Sequence, residues 1–364
     1  MCQLKRGDPL TTATSEALAH EAGYGDGVDI TTVANDLIVM HDGATVHRYE
    51  DLAHDTPYEL HGQWVTTLPR PEGELLCTFA TVNDVHFGET ECGRIATTPG
   101  GPIQRSAPGE DPYPEIMNRG AIAEISALNP SAVFVKGDLS QDGQPHEWEA
   151  FEQHYRGAFD GRLHVVRGNH DAYKFQIGYH GDQWVELPGV CVALMDTVIP
   201  GGTTGMLSEQ QLMWLDDHAA NTDSPVIVMG HHQQWTHGGA DNHRSEGYFG
   251  LHPDASEGLA EVVARRNSII AYTAGHTHRH RVRAMSAALD VPTIEVGCVK
   301  DFPGTWAEYR VYETGVMQVV HRISSPEALG WSERCRHLYS DFGIDYESYA
   351  LGRLEDRCFT LALR

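Results

Sequence analysis

Five short apolar runs, Leu75 to Val82, Ala132 to Val135, Leu163 to Val166, Val226 to Met229 and Ile269 to Thr273, each end in a polar cluster. In order, the clusters are Asp84-Val85-His86, Gly137-Asp138, Gly168-Asn169-His170-Asp171, Gly230-His231-His232 and Gly275-His276-Thr277-His278. Apolar runs of this length, bounded by turn residues, read as buried strands. Helical stripes lie between them: Ile122, Ile125 and Leu128; Trp148, Phe151, Tyr155 and Phe159; Leu259, Val262 and Val263. Ser208 with Gln211 makes a capping-box start for a further helix. This alternation predicts a layered α/β domain. In open α/β sheets, ligands gather beyond the ends of the strands, so clusters distant in sequence can converge on one spot.

The donor types in those clusters narrow the chemistry. Carboxylate and imidazole are the usual ligands of manganese, iron and zinc, and no cysteine accompanies them, which disfavours a thiolate-bound structural zinc. Asp84, His86, Asp138, Asn169, His231, His276 and His278 make seven side chains. That is too many for one tetrahedral ion and suits two metals sharing a bridging carboxylate. Two ions about 3.5–4 Å apart can clamp the attacking and leaving oxygens of an in-line phosphoryl displacement. Taken singly, an Asp-x-His or a Gly-Asp is a common surface loop. The ordered conjunction, each member following an apolar run, is what points to a metal centre.

This order of motifs, over roughly residues 75 to 282, resembles the calcineurin-like metallophosphoesterase superfamily. The resemblance implies a four-layer α/β/β/α sandwich with two mixed β-sheets. It also implies that Asp84, His86 and His278 hold a first metal and Asn169, His231 and His276 a second, with Asp138 bridging them. The GNHD, GHH and GHTHRH segments are most similar to those of class III cyclic nucleotide phosphodiesterases. The β-rich start is similar to that of purple acid phosphatases, but Leu139 and Ser140 follow Gly137-Asp138 where that family carries a metal-binding tyrosine. No coloured tyrosinate centre is therefore expected.

A hydroxide bridging two cations would attack phosphorus, since bound water is acidified toward neutrality. The cofactors expected are two divalent or mixed-valence ions, manganese or iron first and zinc as the third candidate. His170 is the candidate to stabilise the transition state or protonate the leaving alkoxide, its alternative being a residue that only orients a ligand. Asp171 reads as structural, and His232 either contacts substrate or packs under the site. Arg279 and His280 are equally a solvated rim or a phosphate clamp.

Acidic residues outnumber basic ones by 51 to 26, for a net charge of −25, which disfavours a nucleic-acid reader or an anionic-membrane partner. No signal peptide or apolar membrane span is expected. Seven cysteines without a CxxC pair suit reduced thiols, and the expected location is cytoplasmic. Residues 1–27 read as a polar leader. The segment 28–72 is a small β-rich unit with a hairpin signal at Asp42-Gly43; it resembles the later strands of a truncated fibronectin type III module, Tyr58 standing as the corner tyrosine. Residues 73–325 form the expected catalytic domain, and 326–364 a packing or oligomerisation tail, so a homo-oligomer stays open. Long connections at Glu89 to Glu115 and Gln233 to Ser256 are either functional lids or mobile surface, and Trp235, Tyr248 and Phe249 in the second either stack on a nucleobase or only pin the loop.

The expected activity is metal-dependent hydrolysis of a small-molecule phosphodiester, with 3′,5′-cyclic nucleotides as a candidate substrate. A phosphomonoesterase or nucleotidase using the same centre is the enzymatic alternative. A metal-free, non-catalytic scaffold is the alternative of another class.

Overall fold

The computed structural model describes residues 28–95, 97–235, 249–285 and 287–364; the leader 1–27 and Tyr248 lie outside them. The N-terminal strands are β1 (Asp29–Val33), β2 (Ile38–Asp42), β3 (Thr45–Tyr49), β4 (Pro57–Leu60) and β5 (Gln63–Thr66). β2 and β3 pair antiparallel across Gly43, which sits at φ +54°, the backbone region glycine enters without steric penalty. β1, β2 and β3 form one small sheet and β4 with β5 another, around a core that includes Ile38, Met40, Tyr58 and Val65.

The larger unit contains β6 (Leu75–Val82), β7 (Ala132–Lys136), β8 (Leu163–Val166), β9 (Gln183–Leu187), β10 (Val190–Leu194), β11 (Val226–Met229) and β12 (Ile269–Ala274). These are followed by β13 (Arg281–Ala284), β14 (Pro292–Glu295), β15 (Thr305–Tyr312), β16 (Gly315–Arg322) and β17 (Phe359–Ala362). One mixed sheet runs β17-β16-β15-β6-β7-β8 and the other β13-β14-β12-β11-β10-β9. Every apolar run of the sequence is a strand here. The β9–β10 hairpin is an addition: half-buried β9 carries no strong apolar signal, although its partner β10 is a fully buried apolar run.

Helices α1 (Tyr113–Leu128), α2 (Pro145–Phe151) and α3 (Gly157–Phe159) precede α4 (Glu209–Ala220), α5 (Pro253–Arg265), α6 (Pro326–Arg334), α7 (Tyr346–Leu351) and α8 (Leu354–Arg357). A π-helical turn, Glu152–Arg156, joins α2 to α3, so the Phe151, Tyr155 and Phe159 stripe stays buried through a continuous but irregular helix. Three buried clusters define the layers. Phe134, Val192, Ile227 and Val319 fill the space between the two sheets. Met117, Ile125, Phe151, Trp331 and Tyr346 seal α1, α2, α6 and α7 onto the first sheet. Leu215, Leu259, Val263 and Tyr272 seal α4 and α5 onto the second. The result is a four-layer α/β/β/α sandwich with two mixed sheets.

Candidate metal centre

β6 runs parallel to β7, and β7 to β8, while β11 runs parallel to β12 in the other sheet. The five polar clusters follow the C-terminal ends of these strands, so both sheets deliver them to one edge of the sandwich. Loop-to-loop hydrogen bonds lock them together. Val85 and His86 donate their backbone N–H groups to Asp138 O at 3.0 and 2.9 Å, and Gly275 N donates to His231 O at 3.0 Å.

The backbone there is strained. Asp84 (φ +53°), His86 (+47°), Asp138 (+48°), His276 (+69°) and His278 (+54°) all occupy the left-handed region. A non-glycine residue so placed costs of order 1–3 kcal/mol, and such strain persists where the surroundings impose it, most often at functional sites. Gly168 shows how tightly the loops are pressed: a Cβ there would stand 2.2 Å from Asp138 Oδ1.

The side chains converge in two halves about Asp138. Asp84, His86 and His278 bring their donor atoms together, with His278 Nε2 3.7 Å from Asp84 Oδ1. In the other half His231 Nε2 is 3.0 Å from Asn169 Oδ1 and 3.2 Å from His276 Nδ1. Asp138 Oδ2 lies between them, 3.5 Å from His86 Nε2 and 3.3 Å from His231 Nε2. Donors bonded to one ion at about 2.0–2.2 Å stand roughly 3–3.6 Å apart, so these separations suit shared cations.

Hydrogen bonding supports the same fit. His231 Nδ1 faces the Lys136 carbonyl at 2.9 Å and must donate to it, which directs Nε2 at the oxygens of Asn169 and Asp138. Those oxygens are acceptors, so only a proton or a cation on Nε2 reconciles the three atoms. Burial opposes charging of His231, yet the Asp138 and Asp84 carboxylates pull its pKa up to about 9. Asp138 is in turn held well below the carboxylate range: burial acts against this, and the imidazoles of His231, His170 and His86 outweigh it. The Nε2 atom of His86 is buried with no hydrogen-bond partner among the described residues. Buried polar atoms are seldom left so, and a metal ion is a partner it could take. The donor set of carboxylates, imidazoles and one carboxamide therefore fits an ion pair.

His170 sits beside this set. Its Nδ1–H donates to Gln141 O at 2.8 Å, which leaves Nε2 as the atom that can carry a mobile proton, and its backbone N donates to Asp138 Oδ1 at 2.9 Å. Asp171 accepts from the backbone N–H groups of Gly168, Leu139 and Ser140 at 2.8–3.0 Å and pins the two loops to each other. His232 is fully buried, with Nδ1 2.8 Å from Thr197 Oγ1 and Nε2 3.1 Å from Thr203 O. Arg279 pairs with Glu295 at 2.7 Å, and His280 accepts from Gly297 N, so both are tied into the protein. Trp235 is buried, whereas Phe249 is 40% exposed, its ring 5.2 Å from that of His276.

Three residues at the site went unnoticed in the sequence. Tyr173 OH receives the Asn169 carboxamide N–H at 2.6 Å and so turns Asn169 Oδ1 toward His231. Gln141 orients His170, and Asp301 meets His278 Nδ1 at 3.1 Å. Asp301 lies six residues beyond β14, after Gly297-Cys298-Val299-Lys300, and so stands outside the strand-end pattern of the other clusters. Tyr173 and Gln141 have no such signal either.

A four-layer sandwich with carboxylate and imidazole donors gathered at the ends of its central strands defines a metallophosphoesterase-type protein. The calcineurin-like phosphoesterase family profile matches residues 77–280, more than half of the chain, and the chain belongs to that family. A probable glycerophosphodiester phosphodiesterase, GpdQ, of Arcobacter nitrofigilis is 25% identical over an alignment of 162 residues, covering 41% of this chain and 57% of that protein. A probable cyclic nucleotide phosphodiesterase of Synechococcus is 26% identical over 161 residues, covering 43% of this chain and 60% of the relative. The chain thus spans less than two thirds of either relative. Among solved structures, a dimetal phosphatase from Danio rerio superposes with a TM-score of 0.52 at 16% identity, over 68% of this chain and 97% of that one, a likeness of fold.

Proposed function

We propose that this chain is a dinuclear metal-dependent phosphodiesterase acting on small phosphate diesters. Asp84, His86 and His278 would hold one ion, Asn169, His231 and His276 the other, and Asp138 would serve both. The observation that carries this reading is the convergence of Asn169 Oδ1, Asp138 Oδ2 and His276 Nδ1 on His231 Nε2, an arrangement that a shared metal cation satisfies. Manganese or iron suits this donor set best, and zinc is the remaining candidate.

When bound, such a pair supplies Lewis acidity toward a phosphoryl oxygen and lowers the pKa of a coordinated water. The chain's own residues do the rest. His170, its Nδ1 spent on Gln141 O, holds a proton at Nε2 for the departing alkoxide. Asp171 keeps the loops of Asp138 and His170 in register. His232, with Thr197 and Thr203 on its two nitrogens, packs beneath the centre.

Both relatives named above are diesterases by description, which favours a diester here and keeps 3′,5′-cyclic nucleotides as a candidate. Half-exposed Phe249 beside His276 offers a face on which a base can stack. The further domain reading takes 28–72 as a truncated fibronectin-like module, supported by the hydrogen bond of 2.9 Å that Ala53 N donates to Tyr58 OH. No helix among the described residues is long and apolar enough to cross a membrane, and the six described cysteines are free and buried. Those thiols support a cytoplasmic location.

The test is a panel of bis(p-nitrophenyl) phosphate, p-nitrophenyl phosphate, cyclic AMP and 5′-AMP at fixed Mn²⁺, before and after chelation. Diester turnover that chelation abolishes and Mn²⁺ restores is expected. Turnover persisting in a metal-free preparation overturns the ion pair, and turnover of monoesters alone overturns the diester preference.

A further inference from the structure

We propose that the C-terminal segment, through Tyr346, is a positioning element for the first metal site. The proposal rests on the reading of His278 as a metal ligand. The family match ends at residue 280, and Tyr346 lies well beyond it, at the start of α7.

Tyr346 is buried and donates its O–H to Asp301 Oδ1 at 2.8 Å. Cys298 Sγ donates to the same oxygen at 3.0 Å. The other oxygen, Oδ2, accepts from His278 Nδ1 at 3.1 Å. Asp301 is fully buried, so its orientation depends on these donors rather than on water. A carboxylate held in this way fixes the proton of His278 on Nδ1 and directs the lone pair of Nε2 at the site, where Asp84 Oδ1 stands 3.7 Å away. Outer partners of this kind fix the tautomer of a ligating histidine and raise its basicity.

α7 also grips the loop that carries His278. Tyr349 OH donates to Thr277 O at 2.9 Å, and His280 N donates to Ala350 O at 3.1 Å. The ligand loop is therefore held between β12 behind it and α7 in front, with Tyr346 reaching the ligand's own ring through one carboxylate.

The half of the centre built from Asn169, His231 and His276 has other supports, Tyr173 and the Lys136 carbonyl. The two halves should respond differently to loss of Tyr346. The test titrates Mn²⁺ by calorimetry into the full chain stripped of metal by chelation. In Tyr346→Phe, which keeps the packed ring, and in Asp301→Asn, which keeps the side-chain volume, one of two binding steps should weaken by roughly 10- to 100-fold. The other step should stay near its wild-type value, and circular dichroism should show the wild-type fold. Two unaltered steps in both variants overturn the proposal. So does equal weakening of both steps accompanied by a lowered melting temperature, which marks general loosening instead. A wild-type chain that binds no Mn²⁺ overturns the ion-pair reading itself, and so is distinguished from failure of this proposal alone.

Discussion

Two polar seams run through this molecule, and they are built in opposite ways. At the rear, the N-terminal unit docks on β16 and the C-terminal tail through matched groups. Thr32 Oγ1 donates to Val320 O at 2.7 Å, His41 meets Thr31 Oγ1 at 2.8 Å and Ser324 Oγ at 3.2 Å, and Arg357 donates to Ile30 O at 2.7 Å. At the front, acceptor oxygens face one imidazole nitrogen, His86 Nε2 lacks a hydrogen-bond partner among the described residues, and five ligand positions sit in left-handed backbone. Matched groups make a seam that only has to hold. Mismatched and strained groups, kept in place by the surrounding fold, make one that awaits a ligand.

The comparison is broken most directly at Asp138. Asp138→Ala should reduce diester hydrolysis by more than the roughly 100-fold that loss of an outer partner costs, because both halves meet at that carboxylate. Metal content by mass spectrometry should fall with it; wild-type activity in this variant would remove the bridge. His170→Ala should lower turnover by about 10²- to 10⁴-fold while metal content stays near wild type. The loss should be smaller for bis(p-nitrophenyl) phosphate, whose leaving group needs no proton, than for an alkyl diester. An equal loss on both substrates would argue against proton donation.

At the rear the expected effects are on stability. Burial, with the nearby Arg322 cation second, holds the His41 pKa down to about 3, so the folded chain keeps it neutral while the unfolded chain titrates near 6.5. The unfolded state then binds the extra proton between those values, and stability falls as pH drops from about 6.5 toward 3, by at most about 1.4 kcal/mol per pH unit from this one group. His41→Asn should flatten that part of a denaturation profile and leave activity at neutral pH unchanged. A profile as steep as wild type would acquit His41. The smallest effect is expected from Thr32→Val, about 1 kcal/mol in urea unfolding for one buried hydrogen bond, with metal affinity unaltered.

Much of this was legible in the chain itself. The apolar runs became β6, β7, β8, β11 and β12 because short, mainly apolar runs between turn signals have few other ways to be buried. The seven donors were legible because each followed such a run. Asp301 comes six residues after β14, whose Pro-Thr-Ile-Glu is no apolar run, and an aspartate without a histidine neighbour carries little signal alone. Tyr173, Gln141 and Tyr346 act through contacts to residues that pattern reading cannot pair with them.

What the sequence determined by itself, then, is local: strand and helix periodicity, turn chemistry, and the kinds of donor atoms that close each strand. Only the tertiary structure decided which donor faces which. Parallel pairing brings the five strand ends to one edge, each half of the centre draws donors from both sheets, and a helix some seventy residues downstream closes on the His278 loop. Those outcomes depend on packing between distant elements, where a shift of one ångström separates a shared cation from an ordinary hydrogen bond, and no periodicity along the chain encodes that distance.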